Sequence, residues 1–233
     1  MSPFNDPEEL TVGIPVGDKR IEGDLALSVD STGLVLFVHG SGSGRHSVRN
    51  RYVAHTLQQH GFATLLVDLL TPDEEAIDHQ DPRFRFDIDR LAGRLVAIID
   101  WLRKQTSTAW LPIGLFGAST GAAAALVAAA DRPGSIHAVV SRGGRPDLAG
   151  GALGGVVAPT LLIVGAADTA VLAVNRAARS KLRGPVALEI VPGAGHLFEE
   201  PGALSDVADL AADWFHLYLV PSAAMSERSS PVP

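Results

Sequence analysis

The stretch PIGLFGASTGAAAALVAAAD, residues 112–131, holds the feature that decides the fold. Its first half is a short apolar run typical of a buried strand, and its second half is an alanine-rich run typical of a helix. Ser119 stands at the junction, within Gly117-Ala118-Ser119-Thr120-Gly121. The G-x-S-x-G spacing is that of a serine on a sharp strand-to-helix turn, because glycines leave room for the turn. The sequence therefore predicts a strand, a tight turn carrying Ser119, and a helix.

Outside this stretch, short apolar runs alternate with longer segments of helical periodicity. The predicted buried strands lie in the runs at 34–40, 62–70, 112–119, 136–144, 159–168 and 186–196. The helix candidates lie at about 47–60, 86–105, 119–131, 170–182 and 203–219. Strands that are apolar throughout indicate a mostly parallel central sheet with helices on both faces, so the predicted fold class is α/β. Residues 11–29 contain two weaker strand candidates, TVGIPV and EGDLALSV, which we expect at an antiparallel edge.

The chain shows no break in composition along its 233 residues, which predicts a single domain over 1–220. The polar, proline-containing segment 221–233 is expected to be a flexible tail. Residues 71–85 are predicted to form a charged loop, and no segment is long enough for a large lid domain. We therefore expect an open active site.

Composition restricts the classes of function. A net charge of −7 without a dense cluster of Lys and Arg argues against nucleic-acid binding. The lack of cysteine excludes a thiolate zinc site and a cysteine nucleophile, and there is no H-E-x-x-H motif. Apolar runs fall short of the roughly 20 residues of a membrane span, and the acidic N-terminus does not resemble a secretory signal. We expect a soluble cytoplasmic protein that needs neither metal nor cofactor.

A serine nucleophile needs a general base, and the base needs an acid that fixes its orientation. Asp168 ends the predicted strand PTLLIVGAAD, and His196 follows the next predicted strand in the turn PGAGH. This order along the chain, with each residue at the carboxyl end of a parallel strand, would bring the three side chains to one edge of the sheet. The sequence predicts Ser119 as nucleophile, His196 as general base and Asp168 as the orienting acid.

The identity of the acid leaves alternatives open. Asp168 precedes a predicted helix and could simply cap its N-terminus, in which case Glu199 or Glu200 could approach His196. Asp68 also ends a strand, but it precedes the serine along the chain and is predicted to fix a loop. His39 is expected to be buried and hydrogen-bonded to the backbone.

Two backbone amides are expected to bind the oxyanion of the reaction. The amide of Thr120 follows the nucleophile at a helix N-terminus. The second amide is expected from the glycine-rich loop after the strand LVLFVHG, with Ser41 as the first choice and Gly42 as the next. These assignments predict an oxyanion hole between that loop and the turn at Ser119.

Several basic residues are candidates for the substrate pocket. Arg45 and His46 follow the glycine-rich loop, although a solvated helix start explains them equally well. Arg142 and Arg145 follow a strand at the active end of the sheet. Because a guanidinium fork fits a carboxylate, we consider a role for Arg142 in binding a charged group of the substrate.

The chain resembles the dienelactone-hydrolase-like branch of the α/β-hydrolases over about residues 20–218. The resemblance rests on HGSGSGRHSVRNRYVA at 39–54, GLFGASTGAAAAL at 114–126, SRGGRPDLAG at 141–150 and LLIVGAADTAVLAVNR at 161–176. It implies a small lidless hydrolase of carboxylic esters or lactones with the triad Ser119, Asp168 and His196. True dienelactone hydrolases use a cysteine nucleophile, so the serine in this chain favours a general esterase over an enzyme for dienelactone.

The expected function is therefore hydrolysis of carboxylic esters or lactones through an acyl-enzyme, with a small-molecule ester as the partner. An acyltransferase or perhydrolase would use the same triad. A ligand-binding protein on a hydrolase scaffold would use none of it chemically, since fold alone does not determine function. Whether the protein is a monomer or a homodimer stays open.

Overall fold

A computed structural model describes residues 8–220 of the chain. The strands are β1 (Glu8–Val16), β2 (Lys19–Leu27), β3 (Leu34–Val38), β4 (Ala63–Val67), β5 (Ile113–Ala118), β6 (Ile136–Arg142), β7 (Thr160–Gly165) and β8 (Val186–Val191). The helices are α1 (Val48–Gln59), α2 (Pro72–Gln80), α3 (Ile88–Leu102), α4 (Thr120–Asp131), α5 (Thr169–Arg179) and α6 (Ala203–Leu219), with a 3-10 segment at Pro146–Gly155. The predicted tail at 221–233 lies outside the described residues.

The eight strands form one sheet in the order β1-β2-β4-β3-β5-β6-β7-β8. β1 and β2 form an antiparallel hairpin, and β2 pairs antiparallel with β4. The strands from β3 to β8 run parallel to one another. The predicted α/β class, the mostly parallel sheet and the antiparallel edge are confirmed.

Helices cover both faces of the sheet because its central strands are buried on both sides. One core cluster joins the sheet to α3 and α4, and a second joins it to α1 and α6. Neighbouring residues of β6 alternate between the clusters, since Val139 belongs to the first whereas Ala138 and Val140 belong to the second. The loops that follow the parallel strands therefore meet at one edge of a rigid layer.

The prediction of a loop at 71–85 is wrong, because this segment contains helix α2. Thr71 Oγ1 accepts the Glu74 amide and Glu74 Oε2 accepts the Thr71 amide, a capping box that begins the helix, with Pro72 in its first turn. The helix lacks an apolar stripe, which is the signal on which the prediction relied. The capping pattern T-x-x-E was nevertheless present in the sequence.

Glu74 also anchors α2 to the rest of the domain. Its two carboxylate oxygens each accept a hydrogen bond from Arg94 at 2.6 Å, and Lys19 Nζ lies 3.6 Å away. Desolvation by burial opposes ionisation, but the hydrogen bonds from Arg94 and the Thr71 amide outweigh it and lower the pKa of Glu74 from 4.5 to about 2. The ionised carboxylate thus stabilises the folded chain.

We expect Glu74→Gln to lower the free energy of unfolding near neutral pH by about 3 kcal/mol. Because the folded-state pKa lies below the unfolded value of 4.5, this stabilisation is complete above that pH and is lost as the pH falls toward about 2. Urea unfolding of both proteins between about pH 7 and about pH 3 measures the difference. The exposed neighbour Glu75, changed to Gln, is the control and should cost little. A stability difference that stays constant over this pH range would contradict the assignment.

Candidate active site

Ser119 occupies the turn between β5 and α4 with φ 51° and ψ −121°. Such a backbone conformation is strained for a residue other than glycine and persists only where the surroundings hold it. The Ser119 amide donates to the Arg142 carbonyl at 3.2 Å, and the Ser119 carbonyl accepts from the amides of Ala122 and Arg145 at 3.2 and 3.1 Å. The turn is therefore fixed from the neighbouring strand and from the helix.

Glycines beside Ser119 are required by close contacts. A Cβ atom on Gly121 would lie 2.3 Å from a carbonyl oxygen of β3, and one on Gly117 would lie 2.5 Å from Ala122 Cα. A Cβ atom on Gly40 would lie 3.0 Å from Ser119 Cβ. The G-x-S-x-G motif thus lets α4 begin directly behind the strand, and the loop after β3 runs against the candidate nucleophile.

Asp168 and His196 are in direct contact. Asp168 Oδ2 lies 2.6 Å from His196 Nδ1, and Asp168 Oδ1 accepts the Val171 amide at 3.3 Å. The carboxylate therefore caps α5 and orients the imidazole at the same time. Donation from Nδ1 to the carboxylate leaves His196 Nε2 as a proton acceptor, which is the tautomer that a general base needs.

The two glutamates considered as alternatives have other partners. Glu200 Oε1 accepts the Gly195 amide at 2.9 Å, and Glu199 Oε1 accepts from Arg49 Nη1 at 2.9 Å. Neither forms a hydrogen bond with His196. Among the described residues, Asp168 is thus the carboxylate placed to orient the imidazole.

The loop that carries His196 is joined to the end of β7 and lies beside the end of β6. The Ala167 amide donates to the Ala194 carbonyl at 2.9 Å. A Cβ atom on Gly143 would lie 3.5 Å from His196 Nδ1. Gly143 directly follows Arg142, whose carbonyl oxygen accepts the Ser119 amide. Within residues 8–220, no hydrogen bond joins the Ser119 hydroxyl to His196. In serine hydrolases this hydrogen bond often shortens only when the substrate is bound.

The three predicted oxyanion donors differ in their hydrogen bonding. The Ser41 amide donates to Thr120 Oγ1 at 2.9 Å. The sequence analysis gave a role to the amide of Thr120 but none to its hydroxyl. The amides of Thr120 and Gly42 donate to no group within the described part of the chain. Gly42 also has a φ of 71°, which suits a tight loop. Thr120 and Gly42 therefore have free amides, whereas the Ser41 amide is engaged by the Thr120 hydroxyl.

His39 and Asp68 hold the loop that carries these amides. His39 Nδ1 lies 2.9 Å from the Gly40 carbonyl oxygen and its Nε2 accepts the Leu69 amide at 3.0 Å, which fixes the neutral tautomer. Desolvation lowers the pKa of His39 in keeping with that state. Asp68 Oδ1 accepts the Arg45 amide at 2.8 Å. Both side chains therefore have positioning roles, as expected from the sequence.

A cavity of about 650 Å³ lies between this loop and α2. The glycine-rich loop and Thr120 form one side, and charged residues of the segment 68–85 form the other. The charged and apolar lining residues include Arg49, Asp68, Glu75, Asp78, Arg85, Val48, Leu70 and Leu91. The triad candidates do not line it, and it adjoins Ser119 through Gly40 and Thr120. The segment 71–85 was expected to shape the pocket as a loop, and it does so in part through helix α2.

The candidate pocket residues occupy different positions. His46 lines the cavity, whereas Arg45 does not. The Arg45 guanidinium pairs with Asp68 and with Glu22, so it ties the loop to the sheet. Arg142 is also absent from the cavity lining and lies buried at the end of β6, with 8% of its surface exposed.

The described residues also lack two features that mark other classes of protein. Within 8–220 there is no group of three or more His, Cys, Asp or Glu side chains arranged to hold a metal ion. The same part of the chain contains no helix long and apolar enough to cross a membrane.

Comparison with known proteins identifies the family. The sequence profile of the dienelactone hydrolase family matches residues 22–218. The chain belongs to the dienelactone hydrolase family. The crystal structure of a dienelactone hydrolase from Anabaena variabilis is 56% identical to this family member and superposes with a TM-score of 0.91, covering 92% of this chain and all of that one. Both the predicted resemblance and the predicted fold are confirmed.

More distant structures share the fold of this dienelactone hydrolase family member. A thermophilic carboxylesterase from a metagenomic library has a TM-score of 0.73 at 16% identity, with 94% of this chain and 91% of that one covered.

Two Mycobacterium tuberculosis proteins that carry the provisional name phosphoribosyl transferase are 56% identical over 213 residues. That match covers 91% of this chain but 46% of theirs, so the chain spans about half the length of those relatives.

Proposed function

We propose that this dienelactone hydrolase family member cleaves carboxylic esters or lactones through a serine acyl-enzyme. The observation that carries the proposal is the 2.6 Å contact between Asp168 Oδ2 and His196 Nδ1, at the sheet edge where the strained turn presents Ser119. A carboxylate, an imidazole and a serine hydroxyl in this order supply a nucleophile, its base and the group that orients the base. A binding protein would have no chemical need of all three.

Acylation would proceed by attack of Ser119 Oγ on the ester carbonyl carbon while its proton moves to His196 Nε2. The tetrahedral intermediate then collapses, the bond to the alcohol breaks, and the alcohol leaves with the proton from His196. In the second half, His196 takes a proton from water while the resulting hydroxide adds to the acyl carbon. The bond from the acyl carbon to Ser119 Oγ then breaks, His196 returns its proton to Oγ, and the free acid leaves. Asp168 would stabilise the imidazolium in both halves.

The negative charge on the carbonyl oxygen would be stabilised by backbone amides. The free amide of Thr120 stands at the N-terminus of α4, where the helix dipole also favours negative charge. The Gly42 amide, or the Ser41 amide once it leaves the Thr120 hydroxyl, would be the second donor. Donors of this kind typically contribute about 3 kcal/mol each to the stability of the transition state.

The cavity beside Ser41 and Thr120 favours a polar substrate of small or moderate size. Its lining contains more charged and polar side chains than apolar ones. Only three apolar side chains, Val48, Leu70 and Leu91, line it, so a long acyl chain would find few apolar side chains to pack against. We therefore propose short or polar esters as substrates.

The mycobacterial relatives carry the provisional name phosphoribosyl transferase, but we do not propose that activity for this chain. The match with this chain covers 46% of each relative. Over residues 22–218 this chain matches the profile of a hydrolase family. The proposed reaction therefore rests on the residues of this segment alone.

The proposal is tested with p-nitrophenyl esters from acetate to long acyl chains, followed by analysis of the acid and alcohol products. We expect turnover that is fastest with short chains. Free acid should be the acyl product even with added alcohol or hydrogen peroxide, whereas transfer of the acyl group to either acceptor would favour an acyltransferase or perhydrolase. Absence of turnover with every ester would contradict the proposal.

A further inference from the structure

The hydroxyl of Thr120 joins two segments that are distant in the sequence. Its Oγ1 atom accepts the Ser41 amide at 2.9 Å. Thr120 is the first residue of α4 and directly follows Ser119, whereas Ser41 lies 79 positions earlier, in the loop after β3. The side chain beside the candidate nucleophile therefore holds the glycine-rich loop that was expected to supply the second oxyanion donor.

The loop forms a defined turn at this contact. The Ser43 amide donates to the Gly40 carbonyl at 3.2 Å, and Gly42 has a φ of 71° whereas Ser41 does not have a positive φ. This is the pattern of a type II β-turn with Ser41 and Gly42 at its two central positions. Because the turn fixes the backbone between them, the hydrogen bond from Ser41 to Thr120 also determines where the free Gly42 amide lies.

Little else restrains this part of the loop. Across residues 41–44, the contact with Thr120 is the one hydrogen bond from outside the loop within the described part of the chain. The next fixed point is the Arg45 amide, which donates to Asp68. Two of the four residues at 41–44 are glycine, which gives the backbone wide conformational freedom. Without the Thr120 hydroxyl, the turn would therefore be poorly fixed.

The demands of helix α4 do not explain a threonine at this position. Thr120 is 4% exposed, and the helix that it begins consists largely of alanine, which has a higher helix propensity than threonine. Within residues 8–220, the contact with Ser41 is the hydrogen bond that its hydroxyl makes. The branched Cβ atom restricts the side-chain rotamers, so the hydroxyl is held near the loop. The contact with Ser41 accounts for the hydroxyl.

We propose that the Thr120 hydroxyl is a positioning group that places the Gly42 amide for the oxyanion. Thr120 would then supply one donor from its own backbone and fix the other through its side chain. This inference rests on the proposed ester hydrolysis, and it selects Gly42 over Ser41 as the second donor. Oxyanion donors act by being in place before the charge develops, and a misplacement of roughly 1 Å can cost about 100-fold in rate. Thr120 therefore acts on the transition state and not on ester binding.

The proposal is tested first by steady-state kinetics. Thr120→Val keeps the shape of the side chain but removes the acceptor, and we expect kcat for p-nitrophenyl acetate to fall by about 10- to 100-fold with KM within about threefold of wild type. Thr120→Ser keeps the hydroxyl and should restore kcat to within about threefold of wild type. Loss of kcat in Thr120→Ser equal to that in Thr120→Val would overturn the proposal, and so would wild-type kcat in Thr120→Val.

Two further measurements separate positioning from general damage to the fold. Thr160→Val removes another buried threonine hydroxyl, which donates to the Ala158 carbonyl at 2.9 Å at the end of β7 away from the site, and it should keep wild-type kcat. An alkyl boronic acid adds to the Ser119 hydroxyl as a tetrahedral mimic, and its affinity should weaken in Thr120→Val by about the same factor as kcat. Unchanged boronate affinity in that variant would contradict a role in the oxyanion hole.

Hydrogen exchange of the Ser41 amide, followed by NMR, reports on the contact without turnover. Exchange should be slow in wild type and in Thr120→Ser, and about tenfold faster in Thr120→Val. A fall in kcat while the Ser41 amide stays protected would overturn the proposal, because the hydroxyl would then act directly on the substrate. Failure of the proposed ester hydrolysis would instead appear as no turnover of any ester by wild type, with the exchange of Ser41 still dependent on Thr120.

Discussion

Replacing Ser119 with alanine is expected to lower kcat for p-nitrophenyl esters by a factor on the order of 10⁵ to 10⁶, because the acyl-enzyme can no longer form. Removal of the hydroxyl does not disturb the hydrogen bonds of the turn, which are made by backbone atoms. The variant should therefore keep the Tm of wild type to within a few degrees. Initial rates and thermal denaturation of the same preparations measure both quantities.

Ser180→Ala is the matched control for this change, since Ser180 is exposed at the end of α5 and donates only to a local carbonyl. Purified in the same way, it should retain full activity, which shows that the loss in Ser119→Ala comes from the hydroxyl at that position and not from the substitution of a serine as such. Retention of wild-type turnover by Ser119→Ala would remove the nucleophile from the proposed mechanism.

Replacing Asp168 with asparagine is expected to lower kcat by a factor on the order of 10³ to 10⁴. The amide can still cap α5 through the Val171 amide, but it no longer stabilises the imidazolium or fixes the tautomer of His196. Activity should thus fall with little change in stability. Steady-state kinetics together with urea unfolding separate the two effects.

Asp168→Ala separates the two roles of this carboxylate further. It should lose activity to a similar degree and also about 1 kcal/mol of stability, because the helix cap is gone. Glu200→Gln is the control, since glutamine can still accept the Gly195 amide, and it should keep most of the activity. A loss as large as that of Asp168→Asn in this control would assign the orienting role to Glu200.

The parts of the molecule that the sequence predicts well are those with local physical signals. Buried parallel strands appear as apolar runs, and the turn at Ser119 combines such a run with glycines that its contacts require. The contact between Asp168 and His196 follows from the same signals, because each lies after a parallel strand. Helix α2 was missed since its sequence is polar, although its capping box is a local signal that could have been used.

The parts that the sequence could not predict depend on contacts between distant residues. The Ser41 amide meets the hydroxyl of Thr120, 79 positions away, so the choice between Ser41 and Gly42 needed the packed loop. The sequence offers Arg45, Arg142 and Arg145 as similar basic residues. Only packing reveals that Arg45 and Arg145 have carboxylate partners whereas Arg142 has none.

Ser119 is the proposed nucleophile, activated by His196. The most direct test is labelling of the intact protein with a fluorophosphonate, followed by mass spectrometry of the whole chain and of its peptides. We expect a single adduct on Ser119 that forms much more slowly in His196→Ala and is suppressed by an ester substrate. No adduct, or an adduct on another residue, would contradict it.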